Sequence, residues 1–308
     1  MRKVKSFILL AKNFGIVSAI KWALYKVAND AKYDILCEKI LMRKYKDFLP
    51  YKLSGDKCEV RYIWKMWWQG VDEMPEVVEL CNISHIKFIP PEYKQVLITK
   101  ENYSDYVTLP PEIMKKFNSG VIKMAQFSDI IRLHLLEKYG GLWIDMTLLL
   151  TNTLDNKIFE QDFYSVNLSG TDYTPRGGQI VTNARWAGFV MGTGYKHSTV
   201  FLYLKNVMVQ YWLDNDVMLD YFLMNRFLRS AYNNSSIVHN IINNIPNTNR
   251  HIYSLQPILN TTQNRSKFEE MNKDTYMYKL SWKNSVVEMI DGKQTLFGWI
   301  KHYILDIS

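Results

Sequence analysis

Residues 123–150 constrain the fold more than any other part of the chain. From Lys123 to Tyr139 the spacing predicts a helix, with Ser128 as the cap of its main part. Ile130, Ile131, Leu133, Leu135 and Leu136 make it apolar around much of its circumference, so it must be buried. Gly140-Gly141 ends it, and Leu142–Leu150 follows as an apolar strand. Alternation along that strand puts Trp143, Asp145 and Thr147 on one face and Leu142, Ile144 and Met146 on the other. A carboxylate inside such a strand needs a reason, because burying an unpaired charge is costly. One reason is a structural ion pair, with Arg132 as the nearest candidate. The other is a ligand site at the carboxyl end of the strand, where open α/β sheets bind ligands.

The rest of the chain supplies the other layers. Residues 60–68 are β-branched and aromatic and read as a first strand, ending at Gln69-Gly70. Pro75 opens a helix through Val77, Val78 and Leu80, and Gln95–Thr99 reads as a second strand. A helix after each strand predicts a parallel sheet with crossovers. A further strand is expected at Ala187–Met191, and helices at 197–213 and 215–232. The Asn-rich residues 233–264 read as loops. Residues 4–28 read as two short helices broken near Gly15. Val4, Phe7, Ala11 and Phe14 form one stripe, and Val17, Ile20, Leu24 and Val27 another. The expected division is a basic helical appendage at 1–55 and a main domain at 56–308.

Composition narrows the function. Of 308 residues 47% are hydrophobic and 14% aromatic, which is ample for a buried core and excludes a disordered chain. Cys37, Cys58 and Cys81 have no paired spacing, so neither a disulfide framework nor a zinc site is expected, and a reducing compartment is the natural setting. The net charge of +8 is confined to the N-terminus. Residues 1–52 hold 12 Lys/Arg against 4 Asp/Glu, and the remainder is balanced. A nucleic-acid enzyme would carry basic residues along its working groove, so no nucleic-acid partner is expected. A basic terminal segment suits an anionic membrane surface, with Lys5 and Lys12 facing headgroups, or else a hairpin packed on the main domain. No stretch is apolar for long enough to span a bilayer.

Asp129 and Arg132 are three residues apart and share a helix face. They are either an ordinary ion pair near a helix start or a clamp for a sugar ring, since sugar hydroxyls both donate and accept. Asp129 and Asp145 together could also serve a glycoside hydrolase, although the Arg132 and Gly-Gly context suits nucleotide-sugar binding better.

The combination Ser128-Asp129, Arg132, Tyr139-Gly140-Gly141 and Asp145 resembles the SDxxR…YGGxxxD pattern of the bacterial capsular polysaccharide synthesis proteins of glycosyltransferase family 32. The resemblance extends to Ile63-Trp64, Trp67-Trp68-Gln69-Gly70, Leu97–Tyr103 and Leu219–Leu223, so residues from about 60 to 230 are covered, with an echo at Tyr278–Ser281. It implies a GT-A-like, Rossmann-related α/β fold, with a donor half at about 60–192 and an acceptor half at about 193–308. It implies retaining transfer of a hexose from a nucleotide-diphosphate sugar, UDP-linked in the first instance. The implied acceptor is a lipid-linked oligosaccharide on the cytoplasmic face of the bacterial membrane.

Carried over by residue, the resemblance puts Trp68, Gln69, Thr99 and Tyr139 at the nucleotide, and Asp129, Arg132 and Asp145 at the donor sugar. Asp145 and Asp220 become the catalytic candidates. Asp145 also matches the first carboxylate of a DxD element that would grip Mn²⁺ or Mg²⁺, but Thr147 stands at the second position. With one carboxylate missing, Lys279, Lys283 and Arg185 become candidate cations for the leaving diphosphate. The same departure leaves a non-catalytic, nucleotide-sugar-binding scaffold as the alternative.

Overall fold

The computed structural model describes residues 2–28, 30–171, 173–174, 178–262 and 264–306. The strands that position the site are β1 (Tyr62–Met66), β2 (Lys94–Ile98), β3 (Gly141–Ile144), β4 (Leu148–Leu150), β5 (Tyr164–Ser165), β6 (Val190–Thr193) and β7 (Met277–Lys279). The main helices are α1 (Arg2–Phe14), α2 (Ile16–Ala28), α3 (Asp30–Tyr45), α4 (Glu76–Phe88) and α5 (Met124–Tyr139). They continue with α6 (Thr199–Asp214), α7 (Leu223–Asn234), α8 (Ser236–Asn243) and α9 (Leu296–Asp306).

The central sheet has the order β2-β1-β3-β6-β5. β1 pairs in parallel with β2 and β3, as the strand–helix alternation predicts. β6 runs antiparallel to both β3 and β5, so the sheet is mixed rather than parallel throughout. Alternation sorts the side chains into two cores. Trp64, Trp143 and Met191 face the layer built by α5, α6 and α7. Ile63, Leu142, Ile144 and Val190 face the opposite layer. α4 and α9 close a third cluster over the β4–β7 pair, around Leu149, Tyr278 and Phe297.

Four expectations need correction. The long strand 142–150 is two strands. Antiparallel pairing of β3 ends at Ile144 opposite Val190. Asp145–Leu148 then turns, with the Leu148 N–H donating to the Asp145 carbonyl at 2.9 Å, and β4 leaves to pair with β7. Asp145 therefore sits just beyond the sheet edge. Ser128 lies inside α5, which is preceded by Lys123, so it caps nothing. Residues 215–222 form a loop before α7. The Asn-rich segment contains α8, which Ser235 caps by accepting from the Val238 N–H.

α1, α2 and α3 pack on the main body. Leu10, Ala19, Cys37 and Leu41 are buried in the same core as Trp64 and Phe227. Gly15, at φ +86°, makes the predicted break between α1 and α2. Among the described residues the three cysteines are free, and no helix is long and apolar enough to cross a membrane.

The Gly140-Gly141 pair makes the sharp reversal from α5 into β3, with φ of +65° and +94°. A Cβ on Gly141 would overlap the Tyr62 carbonyl oxygen, a backbone atom of the neighbouring strand. Gly292 has a similar φ of +73° but open space around it. Gly141→Ala is expected to cost about 3 kcal/mol or more, against about 1 kcal/mol for Gly292→Ala. Thermal unfolding of both variants checks this, and equal losses would contradict the steric account.

Candidate active site

At the carboxyl edge of β1 and β3 the structure has a cleft of about 510 Å³, within the usual range for small-molecule sites. Its floor is built from residues close in sequence. Asp145 is fixed by its backbone, whose N–H donates to the Phe189 carbonyl at 2.8 Å while its carbonyl closes the turn to β4. α5 lies across the same sheet face and brings Asp129 and Arg132 over β3. Arg132 is buried, with its guanidinium 4.7 Å above the Trp143 ring. Its Nη1 pairs with Asp129 Oδ1 at 3.2 Å and donates to the Gly188 carbonyl, and its Nη2 meets Asp145 Oδ1 at 3.3 Å. The structural ion pair expected of Arg132 is present, and Arg132 lines the cleft together with both carboxylates.

The fourth member comes from far along the chain. Antiparallel pairing of β4 with β7 sets Lys279 opposite Leu148. Its Nζ donates to Asp145 Oδ2 at 2.9 Å and to Thr147 Oγ1 at 2.6 Å, and lies 4.9 Å over the Phe189 ring. Trp143 Nε1 also donates to Asp145 Oδ1 at 3.0 Å. Asp145 therefore accepts from a guanidinium, an indole and an ammonium. Burial alone would raise its pKa, but Lys279 and Arg132 outweigh it and hold the carboxyl below its ordinary value. Asp129 goes the other way. Burial pushes it up to about 6, against the pull of Arg132 and with the help of the nearby Asp145 charge.

The cleft walls are aromatic. Trp67 and Trp282 meet edge to face at 6.2 Å on one side, and Phe189 and Tyr253 at 5.8 Å on another. The candidate nucleotide residues lie elsewhere. Trp68 is packed among Tyr103, Phe117 and Phe127, one residue out of phase with Trp67, which does line the cleft. Gln69 is exposed, and the Thr99 N–H donates to Asn102 Oδ1 in a turn. Tyr139 is at the opposite end of β3, where its hydroxyl donates to the Tyr106 carbonyl.

Asp220 is not on the cleft wall. It is buried against Arg226 at 3.4 Å, and its Oδ1 accepts from the Phe222 N–H at 2.7 Å; the adjacent Tyr221 and Phe222 reach the cleft instead. Of the three cation candidates only Lys279 lines the cleft. Lys283 stays outside, beside Trp282, and Arg185 lies over Tyr232.

The donor set does not fit a divalent cation. Among the described residues no three His, Cys, Asp or Glu side chains converge. Beside Asp145 the position of a second carboxylate is held by Thr147, and an ammonium already bridges both oxygens. A hard cation needs several oxygen ligands and no neighbouring positive charge.

Comparison with known proteins adds three findings. A stretch of 117 residues is 30% identical to "Glycosyltransferase afumC" from Aspergillus fumigatus. It covers 35% of this chain and 30% of that protein, so the chain spans less than a third of that relative's length. The solved structure of the PaToxG glycosyltransferase aligns over 67% of this chain and 83% of its own, at 15% identity and a TM-score of 0.40. The sequence model of the capsular polysaccharide synthesis proteins matches residues 21–298, nearly the whole chain, and the protein belongs to that family.

Proposed function

We propose that the protein is a GT-A-like, retaining glycosyltransferase of surface polysaccharide synthesis. In this reading it moves a hexose from a nucleotide-diphosphate sugar, a UDP-sugar first, to a lipid-linked oligosaccharide at a membrane surface. One observation carries the reading: Asp129, Arg132, Asp145 and Lys279 converge on one aromatic-walled cleft at the carboxyl edge of the sheet.

Each residue has a chemical role in this scheme. Asp129 accepts hydrogen bonds from donor-sugar hydroxyls, and the fixed fork of Arg132 donates to them. Trp67 and Trp282 supply a surface for the base. When the bond from the anomeric carbon to the diphosphate oxygen breaks, the electron pair goes to that oxygen. Lys279 is the cation that meets this charge. Two of its three N–H bonds go to Asp145 and Thr147, and the third remains for a phosphate oxygen. The acceptor hydroxyl attacks on the face the diphosphate leaves, and its proton passes to the departing phosphate. Asp220 acts through position, holding the Tyr221–Phe222 turn at the cleft mouth.

The saturation of Asp145 by three donors also favours a second reading, a non-catalytic scaffold that binds the nucleotide sugar. The two readings part on turnover. A nucleoside diphosphate raises the Tm under both, but only the transferase consumes the nucleotide sugar with acceptor present.

Asp145→Asn and Lys279→Met are each expected to lower transfer about 10²–10³-fold. Transfer by the wild type should persist in excess chelator, and strict dependence on Mn²⁺ would remove Lys279 from this role. The acid limb of kcat/KM should fall near pH 6, because protonation of Asp129, whose pKa is about 6, removes its charge and turns one of its two acceptor oxygens into a donor. In Asp129→Asn that limb should disappear along with most of the activity, and a surviving limb would assign it to another group.

A further inference from the structure

A second cleft, also about 510 Å³, lies between the α1–α2 break and α3. Its apolar lining is Phe14, Val17, Leu36 and Ile40. Four cations ring it: Lys21, Lys39, Arg43 and Lys44. Only Lys44 has an acidic partner among the described residues, Asp214 at 3.3 Å. The cleft also includes Gly15, Val17 and Ser18, at the first turn of α2, where the first intrahelical bond runs from the Ala19 N–H to the Gly15 carbonyl. The amides before it add to the positive potential at this end of the helix.

The outer face of α2 continues from this cleft. Ile16, Ile20, Leu24 and Val27 recur at three- and four-residue spacing along the whole helix, with Val17 beside them, and all five are exposed, Val27 at 90%. Val4 and Ile8 are similarly exposed on α1. Residues 1–28 contain six Lys/Arg and no Asp/Glu. An apolar stripe of this length on a soluble surface calls for a cover. The all-basic surroundings select an anionic one and disfavour an acid-free protein groove.

We propose that this cleft is a phosphate site for the headgroup of an anionic phospholipid, with the α2 stripe seated at the acyl boundary beside it. Lys21, Lys39 and Arg43 take the phosphate oxygens, and the bilayer covers Ile20, Leu24 and Val27. The appendage is tied to the active-site side of the molecule, since Asp34 of α3 pairs with Arg226 and Arg229 of α7. Seating on a membrane therefore also fixes the direction in which the donor cleft faces. This deepens the membrane part of the proposed function. It is read by binding alone, so a failed transferase reading leaves it standing, and its own failure leaves the transfer chemistry untouched.

The test is co-sedimentation of the full chain with vesicles of phosphatidylcholine alone and of an equal mixture with phosphatidylglycerol. The wild type should bind only the mixed vesicles. The double variant Lys39→Ala/Arg43→Ala should bind them about tenfold or more weakly, with an unchanged Tm because both side chains are exposed. Leu24→Ser should weaken binding too. Lys5→Ala/Lys12→Ala removes the same charge outside the cleft and should weaken binding much less. Equal losses in the two double variants would mean diffuse attraction and overturn the site. Wild-type binding by the cleft variant would also overturn it. If inorganic phosphate alone raises the Tm in a Lys39- and Arg43-dependent way, with no vesicle binding, the site is for free phosphate and the lipid assignment fails.

Discussion

The candidate site depends on how one half-buried carboxylate is neutralised. Asp145 sits beyond the last paired residue of β3, with the Trp143 ring beside it. An unpaired charge there, partly withdrawn from water, would be destabilising. Arg132 on one oxygen and Lys279 on the other meet that cost, and their positions draw α5 and the β4–β7 pair to the same point. The stabilising contact and the candidate site are therefore one arrangement. Because both cations are fixed by structure the cleft already needs, they present positive charge to a ligand without further ordering.

The same logic joins the N-terminal helices to the main body. Arg226 lies between Asp34 of α3 and Asp220 of the loop before α7. Trp22 Nε1 and the Tyr33 hydroxyl both donate to the Leu219 carbonyl in that loop, at 2.8 and 3.1 Å. Tyr221 and Phe222, the next residues, form part of the cleft mouth. Residues that read as an appendage thus hold one wall of the candidate active site. Their outer face remains apolar and basic, which ties the orientation of the cleft to whatever surface covers α2.

Some of this was legible from local pattern. The Gly15 break, α4 after Pro75, the buried helix α5 and the parallel pairing around β1 all follow from spacing and punctuation. The helix face shared by Asp129 and Arg132, and the odd carboxylate read as lying inside an apolar strand, pointed to three of the residues that line the candidate site. Other candidates lie off the cleft for physical reasons. Trp67 and Trp68 look alike in sequence, but β1 has ended and the loop decides which of them faces the cleft. Tyr139 and Thr99 are near the pattern in sequence yet turned into hydrogen bonds of their own. Asp220 gave no sign that Arg226 would bury it.

What the sequence determined by itself is the local layer: helix α5, the two glycines that allow a positive φ after it, and a charge that had to be compensated. Tertiary structure decided the compensation. The β4–β7 pairing carries Lys279 across 134 residues to Asp145 and Thr147, and no local periodicity encodes a contact of that range. It also left the α2 stripe outside the core, because α2 buries Ala19 and half-buries Trp22 and so turns Ile20, Leu24 and Val27 outward. Periodicity fixes which residues share a face, and only the packing partner fixes which face is covered.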